Sequence, residues 1–256
     1  MSRSLLVLAV LVVRTSWAQA PAYTANSIVN ASDYSSGPFA PNSVLSIFGT
    51  NLSRYTADFS TGQSAASSVP LQLSGVQVIV DTFQAPILFV SPSQINFLIP
   101  SGEIPGNSLV TVVREGWNGP TVTLALVNGA PALFDDSAGF AIATHLDGTL
   151  LSDASPAQPG EFVVVYATGL GATDPNPQSG EVPMAAALIK YFSTLSISLN
   201  GFPLAPNLIY YAGVTPGFAG LYQLNIQLPQ DVPADPIIRV FMGTQTSSTS
   251  LKIAVQ

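Results

Sequence analysis

Two stretches far apart in the chain, QINFLIP at 94–100 and QLNIQLP at 223–229, are near-copies of one another. In each, apolar residues (Ile95, Phe97 and Ile99; Leu224, Ile226 and Leu228) alternate with polar or mixed ones, and a proline ends the run. A period of two marks a half-buried strand, and proline stops it because it has no N–H to continue a ladder. Three other segments recur in the same order. APNSVLSIFGTNLS at 40–53 matches QPGEFVVVYATGLG at 158–171 with an offset of 118, aligning Pro41 with Pro159, Val44 with Phe162, Phe48 with Tyr166, Thr50 with Thr168 and Leu52 with Leu170. Each copy reads as a proline turn, a strand whose alternate residues face a core, and a polar turn containing threonine. VQVIVDTFQAP at 76–86 resembles LSISLNGFPLAP at 195–206, with Asp81-Thr82 and Asn200-Gly201 at the turn of a hairpin. TVTLAL at 121–126 matches SLKIAV at 250–255 at an offset of 129, the offset that also relates the Gln-x-Asn strands. Four matches in one order make an internal duplication secure.

The duplication sets the expected organisation: two tandem all-β sandwiches of roughly seven strands each, residues 22–131 and 132–256, with the boundary near Gly129 to Leu133. A length of 256 residues with 47% apolar content supports two cores. The second copy carries about ten extra residues, which the sequence places in the loop from Tyr210 to Leu221. It opens with a strand from Gly139 to His145, an Asp147-Gly148 turn and a return through Leu151. Arg54 to Val69 and Asp174 to Met184 are polar and rich in Ser or Pro, and are expected to be surface excursions.

Ahead of this lies a secretory signal, residues 1–20. Arg3 supplies the positive end, Leu5 to Val13 an apolar run of nine residues too short to span a bilayer, and small residues follow. Cleavage is expected after Ala18, giving a mature start at Gln19. The alternative, after Ala20, would put Pro21 just past the cut. An uncleaved anchor is the competing reading, though Arg14 interrupts the apolar stretch. Loss of Arg3 and Arg14 would take the charge from −7 to −9.

Each half resembles an Ig-like domain of the IPT/TIG type. More closely, the mature chain from about residue 25 onward is similar to a secreted module abundant in Acidobacteria such as Solibacter. The matching pieces are Ser27-Ile28-Val29-Asn30-Ala31, Phe48-Gly49-Thr50-Asn51-Leu52, the run from Phe89 to Phe97, Tyr166 to Gly171, and Gly213 to Pro229. The resemblance implies a non-catalytic module that often ends larger extracellular proteins and has no established activity. Asp81-Thr82 departs from its usual Asn-Gly.

Charged residues make up 8% of the chain against roughly 25% in ordinary soluble proteins, so hydroxyls, amides and backbone must cover the surface. With five scattered cations outside the signal, the charge argues against nucleic acid as a partner and disfavours anionic membranes. Without cysteine there are no disulfides, thiolate metal sites or cysteine nucleophiles. His145 is the single histidine, and without a Gly-x-Ser-x-Gly elbow any triad would have to form around it unaided; it reads as a surface strand residue. Asp135, Asp136, Asp147 and Asp153 lack both a glycosidase pattern and the spacing of a calcium loop, and no metal or cofactor is expected. Gly169 to Asp174 half-imitates a nucleotide loop but lacks a third glycine and a following helix.

Aromatics are the remaining route to binding. Trp117 falls at a hairpin tip, and Tyr210, Tyr211 and Phe218 cluster in the longer loop of the second copy; against this, most such rings pack a sandwich core or cover its ends. Gln94, Asn96, Gln223 and Asn225 are assigned a structural job, with the Asn amides expected to bridge a neighbouring loop's backbone. The expected function is a secreted, periplasmic or cell-surface interaction or structural module that is not an enzyme and whose partner is an extracellular protein or polysaccharide. A carbohydrate-binding accessory protein is the alternative, and a glycoside or ester hydrolase the third reading.

Overall fold

A computed structural model describes residues 19–59, 67–248 and 250–256; the signal segment up to Ala18 lies outside the described residues. The chain forms two tandem Ig-like β-sandwiches. The first contains β1 (Ile28–Asn30), β2 (Val44–Phe48), β3 (Ala57–Asp58), β4 (Val76–Val80), β5 (Phe83–Ala85), β6 (Ile87–Val90), β7 (Gln94–Leu98), β8 (Gly106–Arg114), β9 (Trp117–Asn118) and β10 (Val122–Leu126). The second contains β11 (Ala132–Leu133), β12 (Ala143–His145), β13 (Phe162–Thr168), β14 (Thr173–Asp174), β15 (Leu188–Ile189), β16 (Leu195–Leu199), β17 (Phe202–Pro203), β18 (Ile209–Val214), β19 (Tyr222–Gln227), β20 (Ile238–Met242) and β21 (Gln245–Thr246).

The duplication extends to topology and register. One sheet of the first domain runs β1-β2-β7-β6-β3 and the other β10-β8-β4-β5. Their counterparts run β11-β13-β19-β18-β15-β14 and β17-β16-β20-β21. Val44 faces Leu98 as Phe162 faces Gln227, and Val76 faces Arg114 as Leu195 faces Met242. Both central hairpins carry a β-bulge at the same place, between Ile87 and Phe89 and between Ile209 and Tyr211. The closing segments dock alike, through parallel bridges Phe39 to Leu126 and Ala157 to Val255. Alternation accounts for the cores: Leu45, Ile47, Ile95 and Phe97 point into one sandwich, and Val163, Val165, Leu224 and Ile226 into the other.

At the β4–β5 turn, Asp81 alone is left-handed (φ 49°), whereas Asn200 (φ 50°) and Gly201 (φ 82°) both are, as a type I′ turn requires. The carboxylate of Asp81 and the amide of Asn200 nevertheless do the same work. Asp81 accepts the Leu109 N–H and Asn200 the Ile237 N–H, each at 2.8 Å.

The extra residues of the second copy fall in two places. The offset rises from 119 (Phe83 to Phe202) to 122 (Ile87 to Ile209) across the 3-10 turn Pro206–Leu208. It then rises to 129 (Asn96 to Asn225) across the longer β18–β19 hairpin and its 215–221 loop. That loop reaches the first domain. Ala219 packs with Val182 against Val44, Val69, Leu88 and Leu98 in a small apolar seam. The Val44 N–H donates to Thr168 Oγ1 (3.2 Å), and the Thr168 hydroxyl donates to the Gly220 carbonyl (3.0 Å).

The two stretches expected to be surface excursions zip together instead. Ser68 bridges Glu181, the Val69 N–H donates to the Gly180 carbonyl at 2.7 Å, and the Val182 N–H to the Ser67 carbonyl at 2.9 Å. The reason is satisfaction of backbone groups: once Val69 and Val182 bury their side chains, their N–H groups need partners, and each loop supplies the other's.

Gly220 (φ +76°) lies so close to the first domain that an added Cβ would sit 2.3 Å from Leu98 Cδ2 and 2.8 Å from Val44 Cγ2. Gly217, in the same loop, faces open space. Gly220→Ala is therefore expected to destabilise the protein by about 2–4 kcal/mol and loosen the domains, against about 1 kcal/mol of backbone strain for Gly217→Ala. Urea unfolding with limited proteolysis of the 67–70 segment checks both; equal effects would mean that the seam carries no weight.

Candidate functional site

The outer face of the sheet formed by β13, β19 and β18 gathers the most chemistry in the molecule. Because Val163, Val165, Leu224 and Ile226 point inward, their neighbours Phe162, Val164, Tyr166, Gln223, Asn225 and Gln227 point outward. Register pairs Phe162 with Gln227, Val164 with Asn225 and Tyr166 with Gln223. The bulge in β18 inserts Tyr210 ahead of Tyr211, which faces Asn225. Tyr210 is 57% exposed, and its ring meets Phe162 edge-on across β19 with centroids 4.9 Å apart. Its hydroxyl donates to Gln227 Oε1 (3.3 Å), and Gln227 Nε2 donates to the Gly160 carbonyl (3.0 Å). Gln223 Nε2 donates to Asn225 Oδ1 (3.0 Å). On these three strands the face carries four rings, with Tyr210 the exposed one, and three carboxamides without a charged side chain; the carboxylate of Asp174 lies at the far edge of the same sheet, in register with Gln223 through Gly213 and Leu188.

This places the residues singled out in the sequence. Tyr210, Tyr211, Gln223 and Asn225 come together. Tyr211 is largely occupied, accepting the Ala187 N–H (3.2 Å) and donating to the Val214 carbonyl (2.8 Å), and burial raises its phenol above the ordinary value. Phe218 is exposed but sits in the seam loop, beyond the far end of β18, about 13 Å of strand from Tyr210. Trp117, 51% exposed, follows the Glu115-Gly116 turn on the other sheet type of the first domain, near the Arg54–Glu115 ion pair. The Asn amides do not bridge loop backbone. Asn96 Oδ1 accepts from Gln94 (2.8 Å) and Ser46 (2.9 Å), and Asn225 Oδ1 from Gln223, because residues two apart on a strand share a face. Phe162, Tyr166 and Gln227 were not picked out, although strand parity within the repeat points all three outward.

Elsewhere the carboxylates mostly hold turns. Asp135 accepts the Ser137 N–H, Asp136 those of Ala138 and Phe140, and Asp147 that of Thr149. Among the described residues no group of three or more His, Asp or Glu side chains is arranged to hold a metal. Gly169 and Gly171 make room for the interdomain linker, since a Cβ on either would strike the carbonyl of Ala130 (2.1 Å) or Asn128 (1.9 Å).

His145 is more than a surface residue. Its Nδ1 lies 2.5 Å from Glu161 Oε1, and its Nε2 lies 3.2 Å from Ser155 Oγ and 3.3 Å from the Ser155 carbonyl. The spatial order Ser-His-Glu is that of a triad, and the two Nε2 contacts are alternatives: Nε2–H donates to the Ser155 carbonyl, or a neutral Nε2 accepts from the Ser155 hydroxyl. A raised imidazole pKa favours the first. The Glu161 hydrogen bond, first among the causes, raises the imidazole pKa accordingly. In either form the cluster clips β12 to the segment that leads into β13.

Sequence reasoning also missed a buried acid, Glu103, beside the exposed Asp81. Glu103 is 8% exposed with Oε1 unpartnered, and its pKa is pushed up to about 7, first by burial and then by the nearby Asp81 carboxylate.

Opposite pH dependences follow. The folded state holds the Glu103 proton to about pH 7 while the unfolded chain releases it near 4.5, so stability falls as pH rises across that window, by about 3 kcal/mol at most. Glu103→Gln should abolish this fall and leave the protein more stable than wild type at pH 8. The His145 clip is fully present below the ordinary imidazole pKa and is lost as pH rises through the raised folded value, so His145→Gln should cost stability at pH 5 and little at pH 9. Urea midpoints at pH 5, 7 and 9 read both; pH-independent differences would refute the protonation states assigned.

Residues 27–126 match the IPT/TIG domain family. No curated protein matches the chain in sequence. Among solved structures, it overlays on the extracellular region of plexin A4 with 11% identity and a TM-score of 0.30, covering 92% of this chain and 18% of that one. SGBP-B of the Bacteroides ovatus mixed-linkage glucan utilization locus, solved with a mixed-linkage heptasaccharide, overlays with 9% identity and a TM-score of 0.32, covering 85% and 43%. Tandem Ig repeats of Dlar overlay with 11% identity and a TM-score of 0.22, covering 93% and 95%. The chain spans less than half the length of the first two, and overlaps this loose carry no argument about function. The first half contains an IPT/TIG domain, and the second half repeats its strand order.

Proposed function

We propose that this chain is a secreted, non-catalytic interaction module: a signal segment, residues 1–20, followed by two Ig-like domains, 22–131 and 132–256, that meet an extracellular protein or polysaccharide outside the cell, in the periplasm or at the cell surface. The observation that carries this reading is the ring-and-amide face of the second domain, held in fixed relation to the first by the Val44–Leu98–Ala219 seam. The His145 contacts to Glu161 and Ser155 tie β12 to the segment before β13, a structural job compatible with this reading. No helix among the described residues is long and apolar enough to cross a membrane. The chain-long resemblance to a secreted acidobacterial module belongs with this proposal, since the IPT/TIG match covers the first half alone. A second reading, a carbohydrate-binding accessory protein, is favoured by the same face: rings offer stacking surfaces and carboxamides offer paired donors and acceptors.

The mature protein is expected to bind its own cell envelope saturably and to turn over neither chromogenic esters nor chromogenic glycosides above background. Hydrolysis that disappears in Ser155→Ala or His145→Gln would overturn the non-catalytic reading.

A further inference from the structure

The duplication supplies an internal control on what the outer sheet face is for. In the first domain the positions equivalent to Phe162, Tyr210 and Gln227 are Val44, Leu88 and Leu98, related by the offsets 118, 122 and 129. Those three aliphatic side chains are the floor on which Val182 and Ala219 of the second domain rest. This fold thus uses the face to hold a neighbour. In the second domain all three positions have changed, and the face lies open.

We infer that this open face, with Phe162 and Tyr210 as stacking rings and Gln223, Asn225 and Gln227 as the hydrogen-bonding row, is a binding site for a neutral polysaccharide. The inference rests on the carbohydrate-binding reading above and assigns it a place. An aliphatic floor suits a permanent dry contact, whereas rings beside carboxamides suit a ligand with C–H faces and hydroxyl edges. No charged side chain lies among these five residues, and the nearest one that register places on the same face is the carboxylate of Asp174, three strands from Gln223, so an anionic polymer finds no counter-charge. The rings are already fixed against each other at 4.9 Å, and Gln227 is held by Tyr210 on one side and Gly160 on the other, which lowers the ordering cost of binding. Gln223 and Asn225 bond each other through one amide contact, and among the described residues no protein group bonds the Gln223 carbonyl or the Asn225 amino group. In the first domain Ser46 closes the same row by donating to Asn96; its counterpart in the second is Val164, which cannot.

A second copy of the chain is a poorer occupant. The docking element of the seam is the 215–221 loop, and a first domain offers only the short turn at Ser91 to Ser93 in its place. Gly220 fits the seam against Val44 and Leu98, whereas on the second domain the larger Phe162 fills the place of Val44 and the polar Gln227 that of Leu98.

The test is affinity electrophoresis of the mature protein in gels carrying a soluble β-glucan, a galactomannan, an arabinoxylan or, as an anionic control, polygalacturonate, with sedimentation velocity for self-association. Wild type is expected to be retarded by at least one neutral polymer and not by the anionic one. Tyr210→Ala and Asn225→Ala should weaken that retardation at least tenfold with an unchanged melting temperature, because Tyr210 is exposed and Asn225 lies outside the core, while Trp117→Ala leaves it intact. Loss in Trp117→Ala with retention in the two face variants would overturn the site and keep the carbohydrate reading. Retention by polygalacturonate alone, or concentration-dependent dimerisation abolished by Tyr210→Ala, would overturn the ligand class. No retardation in any neutral gel would overturn both this inference and the carbohydrate reading, and leave the interaction-module reading to the envelope-binding assay.

Discussion

The arrangement of the whole molecule turns on one hydroxyl. Thr168 ends β13 fully buried, accepts the first N–H of β2 and donates to the carbonyl of Gly220, so one side chain joins a strand of each domain to the seam loop. Around it the contact is dry. Val44, Leu98, Val69 and Val182 exclude water, which makes the Thr168 bonds and the paired backbones of 67–70 and 180–182 costly to break without replacement. Polar contacts at the rim come from amides, with Asn176 reaching both Asn42 and Ser101. Salt bridges play no part in this seam among the described residues; the two present are Arg54–Glu115 and His145–Glu161. Burial and backbone pairing hold the domains together, with no ion pair among the described residues of the seam for salt to screen.

The same economy runs through the rest of the chain. With few charges, turns are secured by short acceptor side chains bonding nearby N–H groups, as Asp81 and Asn200 do at equivalent turns. Substituting Asp for Asn at that position leaves the turn's hydrogen bond intact but places a carboxylate against Glu103, and the pair is tolerated because Glu103 keeps its proton to about pH 7. The second copy, with Asn200, has no such liability. A neutral amide and a carboxylate are equivalent for capping and unequal for everything around the cap.

What could be read from the chain follows from what leaves a periodic trace. Strand alternation and turn residues exposed the duplication, and with it the fold, because Leu45, Ile47, Ile95 and Phe97 repeat their parity in the second copy. The Thr168 hub was visible only as an aligned partner of Thr50, since nothing local distinguishes a threonine that bonds across domains. The 67–70 and 180–182 segments looked like solvent loops because polar stretches without alternation carry no signature of the partner that satisfies their backbone. The clip at His145 and the Asp81–Glu103 pair join residues 16 and 22 positions apart through side-chain geometry alone. The outer face was half legible. Parity assigns Phe162, Tyr166 and Gln227 outward, but only the folded arrangement tells which of two equivalent faces is covered.

The two equivalent faces differ in what they can receive. A heterologous contact between repeats, one face receiving the loop of the next, needs a matching floor and is lost when that floor changes. Here the change is complete at the three positions that matter: Val44, Leu88 and Leu98 become Phe162, Tyr210 and Gln227. Phe162 and Tyr210 are bulkier than the residues they replace and Gln227 is polar, so an approaching glycine loop finds no apolar floor, and the carboxamides hydrate the surface in place of a covering domain. The first domain in turn lacks the seven-residue lengthening of the β18–β19 hairpin that would let it dock onto such a face. The second domain's face therefore does not repeat the seam, and its rings and amides are left open to meet something else.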